Sequence, residues 1–124
     1  MLESPPPVVP DPLPETRALA ASPDHICRLV VNCVAVDFGL KANSLETAPR
    51  GSQRAAYARQ IAMYLAHVSF GLSFDVIGRA FSRDRTTVAH ACRVVEDGRD
   101  DIWFDCRVAT LELMCRAASG GGIR

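Results

Sequence analysis

Residues 74–97, FDVIGRAFSRDRTTVAHACRVVED, contain two apolar stretches separated by a short polar segment. The second stretch repeats apolar residues at the helical spacing i, i+3, i+4 and i+7: Val88, Ala91, Cys92 and Val95. This spacing predicts a helix with one buried face and its other faces exposed. A short helix, a tight turn and a longer helix together predict a helix-turn-helix unit.

The residues that open the second helix are suited to contacts with nucleic-acid bases. Arg85, Thr86 and Thr87 are donors of the kind that reach base edges when the N-terminus of a helix enters the major groove. Asp84 precedes them, and we expect its carboxylate to cap the helix by accepting from amides of the first turn.

The charges of the chain are unevenly distributed, although its formal net charge is zero. Between positions 50 and 93 seven arginines stand against two aspartates, which gives this segment a net charge of +5 and the remainder −5. The arginines are Arg50, Arg54, Arg59, Arg79, Arg83, Arg85 and Arg93. A basic segment beside an acidic remainder indicates a binding surface for a polyanion, whereas the alternative is a solvated helix face with counter-charges nearby.

Residues 58–93, ARQIAMYLAHVSFGLSFDVIGRAFSRDRTTVAHACR, resemble the C-terminal DNA-binding domain of the bacterial replication initiator DnaA. The resemblance rests on an Arg-Gln pair opening a long helix, an Ile-Gly in the short helix, and Arg-Asp-x-Thr-Thr-Val-x-His-Ala entering the last helix of the motif. Looser similarity extends from about residue 26 to about residue 118. No G-x-x-x-x-G-K-[ST] loop is present, and the preceding 25 or so residues are too few for the family's ATPase domain, so we expect the DNA-binding module alone.

The resemblance implies roles for individual residues. Arg59 and Gln60 match a pair that contacts phosphate, and Arg50 and Arg54 are the nearest candidates for a basic loop that enters the minor groove. With Arg83 of the turn, the predicted DNA-contacting residues are Arg50, Arg54, Arg59, Gln60, Arg83, Asp84, Arg85, Thr86 and Thr87.

Two departures from the family bear on sequence preference. Arg85 stands where histidine is usual, and an arginine prefers the two acceptors of guanine. Ser82 alone stands where two glycines are common, which makes the turn one residue shorter.

The chain is predicted to be one small all-α domain of about five to six helices. We expect a disordered proline-rich tail over residues 1–21, the DnaA-like domain over 22–118 and a flexible glycine-rich tail over 119–124. Capping patterns place helix starts after Ser22, Ser52 and Ser73 and helix ends at Gly39 and Gly71.

Apolar spacing also predicts which residues form the core. We expect Tyr57, Ile61, Leu65 and Val68 to share the inner face of the long helix. The last helix is predicted to close the core with a wide apolar face formed by Trp103, Phe104, Val108, Leu111 and Met114. A glycine at position 78 of the short helix indicates a close helix-helix approach.

The remaining composition limits the function classes. Five cysteines lack metal-ligand spacing, so we expect buried free thiols, no metal and no other cofactor. No secretory signal and no apolar run long enough for a membrane are visible, which favours a cytoplasmic, nucleoid-associated protein without a membrane partner.

The sequence is compatible with three functions. The leading hypothesis is a sequence-specific binder of double-stranded DNA that acts as a transcriptional regulator or competes at replication-initiator sites, as a monomer or weak homodimer. The alternative is an adaptor that binds a replication protein through the same fold, the Trp103 face and the proline-rich tail. An enzyme is the weakest hypothesis, since His25, His67 and His90 have no carboxylate or nucleophile at a telling spacing.

Overall fold

The structure is a computed structural model that describes residues 22–46 and 53–120. These residues form six helices and no strand: α1 Pro23–Phe38, α2 Ala42–Glu46, α3 Gln53–Val68, α4 Phe74–Phe81, α5 Arg85–Gly98 and α6 Ile102–Ala118. The predicted all-α fold with a helix-turn-helix is confirmed. The proline-rich tail, the Ser52 cap and residues 121–124 lie outside the described residues.

Local capping signals set the ends of α1 as predicted. Ser22 accepts a hydrogen bond from the amide of His25 at 3.1 Å, and Pro23 occupies the first helical position. Gly39 ends the helix in the left-handed region, at φ +68°. These signals involve only neighbouring residues, which is why the sequence alone could specify them.

Helix α3 lies at the centre of the core and packs against α1 and α5. All six residues of 61–66 are buried, so the middle of this helix is covered on every side. The prediction of a single inner face was wrong at both ends, because Tyr57 is 37% exposed and Val68 is 48% exposed. Tyr57 nevertheless packs on the ring of Phe104, with centroids 5.6 Å apart.

Only part of the apolar face predicted for α6 packs against the core. Val108 and Leu111 are buried and Phe104 packs against the core. Trp103, however, is 82% exposed, and Met114 is also exposed. One residue along a helix turns a side chain by about 100°, so Phe104 faces inward while Trp103 faces solvent.

A polar network fastens the far end of α5 to its neighbours. The hydroxyl of Tyr64 donates to Glu96 Oε1 at 2.8 Å and accepts from Arg99 Nη1 at 3.0 Å. Arg99 also pairs with Asp105 at 2.5 Å and with Glu112 at 3.4 Å. Because these residues come from α3, α5, α6 and the turn between α5 and α6, the network fixes the axis of α5.

Four of the five cysteines follow the prediction of thiols within the core. Cys27, Cys92 and Cys115 are buried and Cys33 is half-buried. Cys106 was expected among them, but it lies on the outer face of α6 and is exposed. Burial raises the pKa of Cys92 to about 11. Burial and the neighbouring thiol of Cys33 raise the pKa of Cys115 to about 12.

None of the helices that the structure describes combines the length and apolarity needed to cross a membrane.

Candidate nucleic-acid interface

Helices α4 and α5 and the three residues between them form the helix-turn-helix. Ser73 caps α4 by accepting from the amide of Val76 at 3.2 Å, as predicted. After Phe81 the chain reverses at Ser82, which adopts the left-handed conformation at φ 56° and is the one non-glycine residue with positive φ in the described chain. The turn therefore closes through a serine at a position that favours glycine.

The turn is stabilised by two backbone hydrogen bonds in the pattern of a Schellman motif. The amide of Ser82 donates to the carbonyl of Arg79 at 3.3 Å, and the amide of Arg83 donates to the carbonyl of Gly78 at 2.8 Å. These bonds fix the direction in which the chain enters α5.

Gly78 is buried directly beneath this turn. A Cβ atom at position 78 would lie 2.5 Å from the carbonyl oxygen of Arg83, closer than real side chains come to backbone. The sequence predicted a close approach between helices, whereas the neighbour is the backbone of the turn. Glycine at this position therefore allows the turn to pack against α4.

Helix α5 is held by the predicted apolar stripe, all four of whose members are buried: Val88, Ala91, Cys92 and Val95. The stripe packs against α3 and α4. Arg85, Thr86 and Thr87, at the opening of the helix, are exposed, and His90 is exposed one turn further along. The core thus presents the predicted base-reading residues on a rigid support.

Asp84 occupies the N-cap position, with extended backbone at φ −68° and ψ 153°. The expected capping bond from its side chain is absent, so that part of the prediction was wrong. Asp84 instead lines an open groove beside the turn. The groove is lined by Asp75, Gly78, Arg79, Ser82, Arg83, Asp84 and Arg85.

Arg85 makes an ion pair across this groove. Its Nε lies 3.6 Å from Oδ1 of Asp75 in the first turn of α4. Both side chains remain largely exposed, so the pair costs little desolvation. Neither Asp75 nor Arg79 was predicted to contact DNA, and no local sequence pattern indicates the pair between Asp75 and Arg85, which are ten residues apart.

Arg59 and Arg83 form a second basic feature next to the turn. Nε of Arg59 donates to the carbonyl of Leu45 at 2.7 Å, which ties α3 to α2. Burial lowers the pKa of Arg59, and the positive charge of Arg83 lowers it further. The guanidinium of Arg83 is held near the carbonyls of Phe81 and Ser82 at 3.4 and 3.3 Å. An anion near these two arginines would relieve their mutual repulsion.

The other predicted residues lie along α3. Arg54 is exposed, with its guanidinium carbon 5.6 Å from the ring centroid of Phe38, and Gln60 is half-buried. Arg54, Tyr57 and Gln60 line a common shallow depression. Arg50 lies outside the described residues. The structure therefore brings Arg83, Asp84 and Arg85 together at the turn, while Arg54, Arg59 and Gln60 lie on α3, with Arg59 near enough to Arg83 for their charges to interact.

Comparison with known proteins agrees with this architecture. The family model described as bacterial dnaA protein helix-turn-helix matches residues 27–95. The chromosomal replication initiator protein DnaA 2 of Chlamydia caviae is 37% identical over 89 residues, which cover 68% of this chain and 18% of the relative. The initiator protein DnaA of Symbiobacterium thermophilum is 38% identical over 86 residues, which cover 68% of this chain and 19% of the relative.

A solved crystal structure of a DNA replication initiation factor also shares the fold. It superposes with a TM-score of 0.70 at 32% sequence identity, over 82% of this chain and 30% of that chain. This chain spans less than a fifth of the length of the two initiator proteins above. The matched residues include the whole of α4, the turn and most of α5. The chain therefore belongs to the family of bacterial DnaA helix-turn-helix domains.

Proposed function

We propose that this protein binds double-stranded DNA in a sequence-specific manner, with the opening of α5 in the major groove. The observation that carries the proposal is the exposure of Arg85, Thr86 and Thr87 at the start of a helix whose opposite face is buried. Side chains at this position of a recognition helix reach base edges. The net charge of +5 over residues 50–93 supplies attraction for the phosphate backbone.

Contacts divide by chemistry into two groups. Arg85, Thr86 and Thr87 read bases, where an arginine suits guanine and a threonine methyl suits thymine. The carboxylate of Asp84 has no capping bond to give up, and it can accept from the amino group of a cytosine.

Phosphate contacts come from the surroundings of the turn and from α3. Arg83, Arg54 and Gln60 are placed for them, and Arg50 is proposed on the resemblance alone. Arg59, which also bonds the carbonyl of Leu45, is proposed for a phosphate contact on the resemblance.

The proposed role is modulation of initiation by competition at sites of the replication-initiator type, with transcriptional regulation through the same sites as the alternative outcome of binding. The names of the relatives support the first role, because those proteins are replication initiators. Arg85, where the family usually has histidine, favours a site that contains a guanine at the corresponding base pair.

Selection of random duplexes on the purified protein tests this function. We expect a defined site, and we expect log K to fall against log salt with a slope of about −4 to −5, from four to six neutralised phosphates. Arg85→His should change the preference at one or two base pairs, while Arg116→His on the outer side of α6 should leave it unchanged. Affinity without any salt dependence would contradict DNA binding.

A second candidate function has its own supporting observation. Ile102 and Trp103 are 68% and 82% exposed at the start of α6, on the side away from the core. Such a patch suits a protein partner, as an adaptor of the replication machinery would need. Trp103→Ala should impair that function and spare DNA binding, whereas Arg85→Ala should do the reverse. A pull-down against replication proteins with both variants distinguishes the two.

A further inference from the structure

The ion pair between Asp75 and Arg85 joins the two helices of the motif at their exposed ends. Asp75 belongs to the first turn of α4, and Arg85 is the first residue of α5. Nε of Arg85 is the atom that approaches the carboxylate, at 3.6 Å. Asp75 and Arg85 both line the groove beside the turn, and the pair spans it.

Asp75 also has an arginine on its own helix that could pair with it. Arg79 stands at i+4, the spacing at which an acidic residue pairs with a basic one along a helix. Among the described residues, the arginine that forms an ion pair with Asp75 is nevertheless Arg85. The carboxylate of Asp75 therefore pairs with the first residue of α5 rather than with a residue of its own helix, α4.

The ion pair leaves the terminal nitrogens of the Arg85 guanidinium available for a second contact. A guanidinium carries five donors in a rigid planar fork, and a carboxylate at Nε leaves donors on the terminal nitrogens for a second acceptor. A guanine presents two acceptors, O6 and N7, in the major groove. An arginine already restrained on one side loses less side-chain freedom when it makes that contact.

We propose that Asp75 is a positioning residue for base recognition. It holds Arg85 so that the terminal nitrogens of the guanidinium face a guanine. The inference rests on the proposed DNA-binding function and specifies how that function gains selectivity. An exposed pair is weak in water, but it strengthens when the DNA excludes solvent from the groove. Asp75 thereby raises the preference for guanine over other bases, even though its own charge repels phosphate.

The opposing explanation is that Asp75 acts only as a negative charge near DNA. The two explanations predict different effects of Asp75→Asn. Loss of a general repulsion would tighten binding to every duplex by the same factor. Loss of a positioning contact would reduce the ratio of affinities between the guanine site and the same site with that base pair replaced.

The experiment measures dissociation constants by fluorescence anisotropy for the selected duplex and three duplexes changed at the guanine pair. The proteins are the wild type, Asp75→Asn, Asp75→Glu and Asp100→Asn. Asp100 is an exposed residue beyond the other end of α5, a helix of 14 residues that is about 21 Å long at 1.5 Å per residue. Asp100→Asn makes the same change in net charge as Asp75→Asn, far from Arg85. Thermal unfolding verifies that each variant is folded.

We expect Asp75→Asn to lower the discrimination for guanine by about two- to fivefold, the range of an exposed ion pair. Asp75→Glu should restore part of it, and Asp100→Asn should leave it unchanged. In an Arg85→Ala background, Asp75→Asn should have no effect on base preference.

Three results would overturn the inference. Unchanged discrimination in Asp75→Asn, with uniformly tighter binding, would mean that Asp75 only repels DNA. An equal loss in the Arg85→Ala background would mean that it does not act through Arg85. A wild type that binds none of the duplexes would overturn the proposed function itself, and the inference with it.

Discussion

Gly78→Ala offers the sharpest test of how the turn is built. In an ordinary helix interior this substitution stabilises a protein by about 1 kcal/mol, because alanine has the higher helix propensity. Here the added methyl would lie 2.5 Å from the carbonyl oxygen of Arg83. That oxygen belongs to backbone, which cannot rotate away as the end of a side chain can. We therefore expect the usual sign of the effect to be reversed.

The magnitude follows from what must move. Relieving the contact shifts the turn away from α4 and strains the hydrogen bond from the amide of Arg83 to the carbonyl of Gly78. Overpacking of this kind costs about 1–3 kcal/mol, and because the contact is with backbone we expect the upper part of that range, about 2–3 kcal/mol. The gain in helix propensity offsets about 1 kcal/mol of this cost. A net loss of about 1–2 kcal/mol corresponds to a decrease in Tm of roughly 4–16 °C for a domain of this size.

Urea unfolding followed by circular dichroism measures the loss, with Gly98→Ala as the matched control. A Cβ at position 98 would lie 3.0 Å from the ring of Phe104, a half-buried side chain that can adjust. Gly98→Ala should therefore lose less stability than Gly78→Ala. A Gly78→Ala protein as stable as the wild type would refute the proposed packing of the turn. Equal losses in the two variants would show that the backbone contact is not the cause.

Three further predictions concern stability. Ser82→Gly should raise the free energy of unfolding by about 0.5–1 kcal/mol, because glycine adopts the left-handed conformation at position 82 without strain; an unchanged urea midpoint would contradict this. Tyr64→Phe should lower that free energy by about 1–2 kcal/mol, since both charged partners of the hydroxyl lose a hydrogen bond, and thermal unfolding at neutral pH measures it. Burial raises the pKa of Cys92 to about 11 and of Cys115 to about 12. Thiols in the unfolded chain ionise near pH 9, so the stability that Cys92 and Cys115 contribute is complete below that pH. As pH rises towards 11, the free energy of unfolding should fall by up to about 1.4 kcal/mol per pH unit for each thiol. A urea midpoint that stays constant from pH 8 to 10.5 would argue against this.

The parts of the fold that were predictable depend on contacts between neighbours in sequence. The caps Ser22 and Ser73 and the left-handed glycines Gly39 and Gly71 act within one helical turn, so their signals are visible in the chain itself. The buried stripe that begins at Val88 was predictable because its spacing alone determines one face.

The parts that were missed depend on which elements meet in space. The side chain of Arg59 bonds the carbonyl of Leu45, 14 residues away, and this structural role could not be read from an Arg-Gln pair. Asp75 acquired significance only when α4 placed it against Arg85. Trp103 was assigned to the core because α6 carries apolar residues on two faces, and the sequence does not show which face meets α1.

The role of Arg59 also changes how its replacement should be interpreted. Arg59→Ala removes both a proposed phosphate contact and the bond that ties α2 to α3. A loss of affinity in this variant is informative only beside its free energy of unfolding. Arg54→Ala provides the comparison, because its exposed side chain carries no such backbone bond among the contacts of the described chain.

In the proposed complex, DNA meets the surface formed by α4, the turn and the start of α5. Amide chemical shifts of the labelled protein, recorded while the selected duplex is added, test it most directly. We expect the largest changes on residues 79–90, smaller ones along the exposed side of α3 and little change over residues 102–114. The largest changes around Trp103, with residues 79–90 unaffected, would contradict it.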